Sequence, residues 1–263
     1  MSQSPLAPPA IVARLRAAGC VFAEDEARLL IAEARTPAEL AGMVDRRVTG
    51  VPLEYILGWA EFCGLRIAVD PGVFVPRRRT EFLVLQAASL ARRRAVVLDL
   101  CCGSGALSVA LVAAVGGVEL YAADIEPGAV ACARRNLAPI GGEVFEGDLF
   151  EPLPIALRGR VDILMCNTPY VPTDAIAMMP PEARDYEPRV TLDGGADGLD
   201  VQRRVAASAT RWLAPGGHLL VETGEEQASL TVEIFTKSGL VPRIASSDEF
   251  YATVVVGTRP MDR

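Results

Sequence analysis

The sequence predicts an α/β fold, a mostly parallel sheet with helices on both faces and an antiparallel C-terminal edge strand. From about residue 95, short apolar runs alternate with helical segments, which is typical of a parallel sheet covered on both faces. Only a few residues separate the last two apolar runs, too few for a crossover helix, so these strands should pair antiparallel. The first 90 or so residues lack this alternation and predict a small helical N-terminal domain followed by a connecting hairpin.

The N-terminal part contains two kinds of pattern. Apolar spacing indicates two or three short amphipathic helices, in the stretches IVARLRAAG, DEARLLIAEA and PAELAGMVDRRVTG. The next stretch, VPLEYILGWAEFCGLRIAVDPGVFVPRRRTEF, contains Gly, Pro and alternating apolar residues, which indicates a hairpin and a loop. We therefore predict a helical domain over residues 1–50, a hairpin and linker over 51–90, and the main α/β domain over 91–263.

Strands and helices alternate through the main domain. A helix over 106–115 should end at Gly116 and Gly117, and Pro127 suits the first turn of the next helix, which runs to about Leu137. A later helix should end at the Pro215-Gly216-Gly217 turn. The predicted strands are 95–100, 118–124, 143–148, 161–167 and 218–223, the later helices lie at about 198–213 and 225–238, and the last two strands are LVPRIAS and FYATVVVG.

Composition and charge exclude several classes of protein. Hydrophobic residues make up 51% of the chain and charged residues 22%, which argues against a disordered or fibrous protein. A net charge of −7 gives no reason to bind a polyanion, so we expect no direct nucleic-acid binding and interpret the Arg clusters at 77–79 and 92–94 as solvated. Neither a membrane-spanning run nor a secretory signal pattern is seen, and we expect a cytoplasmic protein with no membrane partner.

The cysteine pattern predicts no metal site. None of the six cysteines is in a CxxC pair, and the single histidine, His218, begins a predicted strand and is interpreted as structural. Several cysteines lie in apolar patterns, where a free thiol behaves as a small hydrophobe, so the protein should be reduced. The six are Cys20, Cys63, Cys101, Cys102, Cys132 and Cys166.

Polar residues follow four of the predicted parallel strands, namely Asp99, Asp124, Asp148 and Asn167. Ligands of open α/β sheets bind beyond the carboxyl ends of the strands, so these side chains should meet at one site. The loop CCGSG after the first strand carries Gly103 and Gly105, where a ligand can approach the backbone closely. Each acid can alternatively cap a helix or hold a loop.

The charges of this rim favour S-adenosylmethionine over a dinucleotide. The loop reads Cys101, Gly103 and Ala106 where a dinucleotide fingerprint has its glycines, and Asp99 would repel a pyrophosphate. S-adenosylmethionine carries a sulfonium and an ammonium group and no phosphate. The carboxylate of Asp124 matches its two ribose hydroxyls, and Asp148 can accept a hydrogen bond from the adenine amino group. We therefore predict S-adenosylmethionine as the cofactor.

Four stretches resemble motifs of class I S-adenosylmethionine-dependent methyltransferases: VLDLCCGSGALSVAL, ADIEPGAV, EGDLF and NTPY. NTPY (167–170) is similar to the Asn-Pro-Pro-Tyr motif of enzymes that methylate amide or exocyclic amino nitrogens. PLEYILGWAEFCGLRIAVDPGVFVPRRRTE and YEPRVTLDGGADGLD resemble, more narrowly, the HemK-type protein-(glutamine-N5) methyltransferases. The resemblance runs from about Leu53 to the C-terminus. It implies a Rossmann-like methyltransferase domain that binds S-adenosylmethionine over 91–263, with a substrate-recognition domain over 1–50.

The resemblance also implies a set of site residues. Asn167 and the backbone carbonyl of Thr168 accept the two N–H groups of an amide, Pro169 stiffens the turn, and Tyr170 packs against the planar amide. The implied cofactor site contains Asp99, Cys101, Gly103, Gly105, Asp124, Ile125, Asp148, Leu149 and Asn167.

The sequence departs from the family pattern at several positions. Thr168 and Arg78 stand where proline is usual, and Cys101 replaces the first glycine of the loop. Cysteine is tolerated at position 101 if φ is negative and costly if φ must be positive. The helical N-terminal part is also shorter than the family's usual substrate-recognition domain.

The expected reaction is methyl transfer from S-adenosylmethionine to the side-chain amide nitrogen of a protein glutamine. The resemblance implies a peptide chain release factor as the protein partner, with a ribosomal protein as the near variant. Two alternatives remain open at this point. One is an N-methyltransferase that acts on a nucleic-acid base amine or a small molecule. The other is a protein that binds S-adenosylmethionine without catalysis.

Overall fold

The structure, a computed structural model, describes residues 6–261 and contains two sheets. A two-stranded antiparallel hairpin consists of β1 (Trp59–Phe62) and β2 (Leu65–Ala68). The main sheet has seven strands in the order β5-β4-β3-β6-β7-β9-β8. Its strands are β3 (Val96–Leu100), β4 (Glu119–Asp124), β5 (Glu143–Glu146), β6 (Val161–Cys166), β7 (Leu213–Thr223), β8 (Val241–Ser247) and β9 (Ala252–Thr258).

The main sheet is parallel from β5 to β7, and β9 pairs antiparallel with both β7 and β8. This confirms the predicted fold class, a mostly parallel sheet with antiparallel pairing at the C-terminal edge. The antiparallel strand β9 is interior, and β8 is the edge strand.

In the described part of the chain six helices accompany this sheet, and two of them have the bounds that the sequence predicts. α6 ends at Val115 before Gly116, and α7 begins at Pro127. The helices are α5 (Glu81–Leu90), α6 (Ala106–Val115), α7 (Pro127–Leu137), α8 (Pro181–Tyr186), α9 (Asp200–Trp212) and α10 (Ala228–Lys237).

Helices cover both faces of the sheet, so side chains of the central strands pack into two cores. All five residues of β3 are buried. Val97 belongs to the core that includes Leu111 of α6, whereas its neighbour Leu98 belongs to the core that includes Trp212 of α9. Successive strand residues point to opposite faces, which explains why the strand sequence is apolar without alternation.

The predicted turn at Pro215-Gly216-Gly217 is wrong, because β7 runs through it. Val161 pairs with Leu213 and Ile163 pairs with His218, so the register of β6 and β7 shifts across these residues. The amide of Gly216 donates to the carbonyl of Arg259 at 3.0 Å, and the amide of Arg259 donates to the carbonyl of Gly217 at 2.8 Å. Hydrogen bonds with Arg259, which is distant in the sequence, therefore make this stretch an irregular strand despite its local turn signal.

Within residues 6–58 four helices precede the hairpin, and the first three share a buried core against which the fourth packs. That core includes Ile11, Leu15, Leu30 and Val44. Arg47 binds Glu26 inside it through Nε at 2.6 Å and a second nitrogen at 3.1 Å. The helices are α1 (Pro8–Ala17), α2 (Ala23–Glu33), α3 (Pro37–Val48) and α4 (Leu53–Leu57).

Candidate active site

A cavity of about 520 Å³ opens at the carboxyl ends of β3, β4 and β6. The structure brings most of the predicted site residues together there. The cavity wall contains Cys101, Gly103, Asp124, Ile125, Asp148, Leu149 and the whole segment 167–170. Asp99 and Gly105 lie behind the wall, in contact with other parts of the fold.

Asp124, at the end of β4, fastens the loop that follows β3. Its Oδ2 accepts a hydrogen bond of 2.8 Å from the amide of Gly103, and its Oδ1 accepts one of 3.0 Å from the amide of Glu126. Burial raises the pKa of this carboxyl above its ordinary value, and the two amide donors oppose that effect. The carboxylate thus fixes two loops that line the cavity.

Two non-glycine residues of the cavity wall have left-handed backbone. Cys101 has φ of +54° and Leu149 has φ of +51°. The sequence alone allows either a negative or a positive φ at Cys101. The structure has the positive φ, which is the energetically costly conformation. Such a conformation costs a residue with a side chain about 1–3 kcal/mol and is found preferentially where a ligand binds.

Asp99 lies beneath the loop and is only 1% exposed. The Ser108 hydroxyl donates a 2.7 Å hydrogen bond to its Oδ2, whereas its Oδ1 has no hydrogen-bond partner among residues 6–261. Burial raises the pKa of this carboxyl to about 7. Gly105 also faces away from the cavity: a Cβ atom there would lie 3.2 Å from Cγ of Leu137, in α7.

Asp148 also lines the cavity, where it is partly exposed. Its Oδ2 binds a guanidinium nitrogen of Arg204 at 2.5 Å, with the Asp148 side chain 32% exposed. One oxygen of the carboxylate remains available to a ligand.

The first two residues of the segment 167–170 carry buried side-chain oxygen atoms that have no hydrogen-bond partner among the described residues. Oδ1 of Asn167 is buried and has no hydrogen-bond partner in the described part of the chain. Thr168 is 2% exposed, and its hydroxyl is equally without a partner there. A buried acceptor that remains unsatisfied costs about 1–3 kcal/mol, so this corner is suited to a ligand that donates hydrogen bonds.

Residues 192–198, which include three glycines, hold the backbone at the end of this segment in place. Val171 donates to the carbonyl of Leu192 at 3.0 Å, and Gly194 donates back to the carbonyl of Val171 at 2.9 Å. Any side chain at Gly198, where φ is +78°, would overlap the carbonyl of Tyr170. The glycine is therefore required by the close approach of two backbones.

Gln227, which is not among the residues predicted from sequence, joins these two stretches. Its Nε2 donates to the carbonyl of Tyr170 at 3.0 Å and to the carbonyl of Asp197 at 2.9 Å. Its Oε1 accepts from the amide of Gly224 at 3.2 Å. No local pattern marks Gln227, because its role depends on chain segments 57 and 30 residues away.

The first arginine cluster is not simply solvated, which corrects the interpretation from sequence. Arg77 and Arg79 line the cavity, whereas Arg78 and the second cluster at 92–94 are exposed. Arg77 contacts both carboxylate oxygens of Glu187, at 2.7 and 2.6 Å. Glu187 is 6% exposed and also accepts from the amide of Val75 at 3.0 Å.

Glu222, near the end of β7, is the partner of Arg79 and Tyr170. Nε of Arg79 lies 3.3 Å from its Oε1, and the Tyr170 hydroxyl donates to the same oxygen at 2.9 Å. Glu222 is missing from the strand-end residues predicted from sequence, although it lies near the end of the predicted strand HLLVET, where the same signal marks it.

Three further features bear on the possible functions: potential metal ligands, membrane-spanning helices and the single histidine. Residues 6–261 contain no group of three or more His, Cys, Asp and Glu side chains arranged to hold a metal ion. No helix in that range is long and apolar enough to cross a membrane. His218 lies on β7, where its Nδ1 is 3.0 Å from the Thr258 hydroxyl, and burial lowers its pKa.

Comparison with known proteins identifies the family to which the chain belongs. A family model described as "Methyltransferase small domain" matches residues 64–179. A release factor glutamine methyltransferase of Geobacter sulfurreducens is 42% identical over 228 residues, covering 85% of this chain and 79% of that protein. A release factor glutamine methyltransferase of Mycolicibacterium smegmatis is 39% identical over 240 residues, covering 89% and 84%.

A solved structure supports the fold independently of these relatives. The crystal structure of a methyltransferase from Pyrococcus furiosus superposes with a TM-score of 0.58 over 75% of this chain and 90% of that one. At 16% sequence identity, this likeness concerns the fold alone.

Proposed function

The chain belongs to the release factor glutamine methyltransferase family, and we propose that it transfers a methyl group from S-adenosylmethionine to the side-chain amide nitrogen of a glutamine in a peptide chain release factor. The observation that carries this proposal is the buried, unpartnered Oδ1 of Asn167 in the cavity wall. An amide NH₂ group supplies the donor that this oxygen lacks.

The residues of the cavity fit S-adenosylmethionine. Three acids line its wall, Asp124, Glu126 and Asp148, and they suit a ligand with hydroxyl, amino and cationic groups. Its cations do not favour phosphate, since Arg77, Arg79 and Arg204 are each paired with a carboxylate. A Cβ atom at Gly103 would meet nothing within 4 Å, so the loop leaves room for a ligand against its backbone.

We assign the parts of the cavity as follows. Asp124 accepts hydrogen bonds from the ribose hydroxyls through the lone pairs that the Gly103 and Glu126 amides leave free. Asp148 accepts one from the adenine amino group, and the side chains of Ile125 and Leu149 flank the adenine ring. When bound, S-adenosylmethionine supplies an electrophilic methyl group on a cationic sulfur.

The chain's own contribution to catalysis is to position the amide and to stabilise its developing charge. An amide nitrogen is a poor nucleophile because its lone pair is delocalised into the carbonyl. Oδ1 of Asn167 and the main-chain carbonyl of Thr168 accept its two N–H groups and direct the nitrogen toward the methyl group. Because positive charge develops on that nitrogen, the same two oxygens stabilise the transition state.

Pro169 and Tyr170 complete the amide site. The proline ring restricts the backbone that carries the two acceptor oxygens. The aromatic ring of Tyr170 offers a flat surface to the planar carboxamide of the target glutamine. Gln227 binds the main-chain carbonyl of Tyr170 and so fixes the backbone from which the ring extends.

We assign substrate recognition to the helices of residues 1–50 together with the rim of the cavity. Arg47 of α3 binds Glu182 of α8 at 2.7 Å, and the Tyr186 hydroxyl donates to the carbonyl of Thr49 at 3.3 Å. The N-terminal helices therefore contact the segment that borders the cavity. Exposed apolar side chains near its mouth, Met178 and Val190, suit a protein surface. With a release factor as its substrate, the enzyme acts in the cytoplasm.

A transfer assay tests this function. The purified chain is incubated with labelled S-adenosylmethionine and a purified release factor, and mass spectrometry is used to locate the label. We expect one methylated glutamine, and none when that glutamine is replaced by asparagine. Label on a ribosomal protein or on nucleic acid instead, with none on the release factor, contradicts the proposal.

A further inference from the structure

Glu222 is a buried carboxylate that the proposed chemistry does not use. It is 1% exposed, lies next to the last residue of β7, and is not part of the cavity wall. Its Oε2 has no hydrogen-bond partner among the described residues. Burying an incompletely satisfied carboxylate is costly, and burial raises the pKa of this group. A stable core would be better served by an apolar residue at this position.

Two contacts of the Glu222 carboxylate lie at Tyr170, and a third side chain, Thr80, also interacts with it. The Tyr170 hydroxyl donates a 2.9 Å hydrogen bond to Oε1 of Glu222. The guanidinium of Arg79 lies over the Tyr170 ring at 5.9 Å from its centroid, and its Nε is 3.3 Å from the same Oε1. One carboxylate oxygen thus accepts a hydrogen bond from the hydroxyl end of the ring and attracts the cation above its face, whose Nε makes no hydrogen bond among the described residues.

The two ends of Tyr170 are restrained by different residues. Gln227 holds the main-chain carbonyl at 3.0 Å, but this contact leaves the side-chain torsions of the tyrosine free. The bond to Glu222 fixes where the far end of the ring lies. Since Tyr170 lines the cavity, its ring orientation determines the shape of the wall beside Asn167 and Thr168.

We propose that Glu222 is a positioning residue for methyl transfer: its carboxylate holds the Tyr170 hydroxyl and Arg79 and thereby fixes the ring against which the target amide packs. This inference rests on the proposed function. Glu222 acts through Tyr170 and touches neither the amide nor the cofactor. Its loss should therefore reduce the rate of transfer from the bound complex, with little effect on binding.

A double-mutant cycle tests the proposal. Glu222→Leu and Tyr170→Phe each remove the hydrogen bond, and each should lower kcat on the release factor by about 10- to 100-fold. The double variant should be no slower than the slower single variant, because both changes break the same contact. Glu222→Gln keeps an oxygen that can accept the hydroxyl and should recover most of the rate. Glu226→Leu, the same change at an exposed position four residues away, should have no effect.

Binding measurements separate positioning from a structural role. Calorimetric affinity for S-adenosylhomocysteine and KM for the release factor should change by less than about threefold in the Glu222 variants. Losses that multiply in the double variant, or that reside in KM or in cofactor affinity, overturn the proposal. If Glu222→Leu does not fold, the cycle is run with Glu222→Met, an apolar side chain closer in shape to glutamate, and Tyr170→Phe under the same criterion of non-additivity. Failure of the unmodified chain to methylate any glutamine would refute the proposed function instead.

Discussion

The amide of Gly103 donates a 2.8 Å hydrogen bond to Oδ2 of Asp124, so the last residue of β4 anchors the loop that follows β3. The two strands are neighbours in the sheet, with Leu100 opposite Ala123. The carboxylate that we assign to the ribose therefore also shapes the loop against which the cofactor would lie. A change at Asp124 acts on both.

Replacement of Asp124 by alanine should weaken cofactor binding. Loss of an acceptor for the ribose hydroxyls and of the loop's anchor should lower the affinity for S-adenosylhomocysteine at least about tenfold, or 1.4 kcal/mol. Isothermal titration calorimetry measures this affinity. Asp248→Ala, an exposed position on the turn before β9, serves as the control. Unchanged affinity in Asp124→Ala would break the ribose assignment.

Replacement of Asn167 by alanine should abolish transfer and leave the cofactor bound. Removing one preorganised acceptor for the transition state is expected to lower kcat by about 10²–10³. Affinity for S-adenosylhomocysteine should stay within about twofold. Thr168→Pro retains the second acceptor carbonyl and loses only an unpartnered hydroxyl and an N–H, so it should retain transfer. Near-normal rates in Asn167→Ala would rule out the paired-acceptor mechanism.

The buried carboxyl of Asp99 should make stability depend on pH in a particular direction. Its pKa in the folded protein is about 7, raised from an ordinary 3.8 by burial. Between these two values the unfolded chain loses the proton more readily than the folded chain does. The free energy of unfolding should therefore fall as pH rises from about 4 to 7, with a slope of at most about 1.4 kcal/mol per pH unit from this group.

Asp99→Asn removes this titration and keeps an acceptor for Ser108. Urea unfolding at pH 5 and pH 8 should show a smaller loss of stability with rising pH in the variant than in the unmodified protein. Asp248→Asn, at an exposed position, should leave the pH dependence as it is. Equal pH dependence in Asp99→Asn and the unmodified protein would show that Asp99 titrates normally.

Gly103 and Gly105 should differ in their tolerance of alanine. Both have positive φ, +54° and +77°, so a side chain at either position costs about 1–2 kcal/mol. At Gly103 a Cβ would meet open space, whereas at Gly105 it would lie 3.2 Å from the Leu137 side chain. We expect Gly105→Ala to lose about 1 kcal/mol more than Gly103→Ala in urea unfolding. Equal losses would mean that Leu137 moves aside without cost.

The sequence predicts those elements whose signals are local. α6 and α7 begin and end where predicted, because Gly116 and Pro127 act on their own backbone. The Pro-Gly-Gly sequence at 215–217 carries an equally strong local signal, but hydrogen bonds with Arg259 override it. Local chemistry therefore predicts element boundaries only where no distant strand competes for the same backbone groups.

The same distinction applies to the site. The strand-end acids are found from sequence because adjacent parallel strands place their ends at one edge. Arg77 was not recognised because its partner, Glu187, is 110 residues away and no pattern joins the two. The backbone conformation of Cys101 was also beyond reach, since a cysteine gives no sign of its φ. Ion pairs between residues far apart in the sequence, and the backbone conformation of a loop residue, are visible only in the structure.

The position of β9 has a consequence for how the protein is made. β8 precedes β9 in the chain but lies outside it in the sheet, so β8 has no docking edge until β9 has been synthesised. While the nascent polypeptide still ends before Ala252, the free edge of β7 is open to wrong pairings. A premature stop there would therefore remove β9 and also leave β8, whose own sequence is intact, without a partner in the sheet.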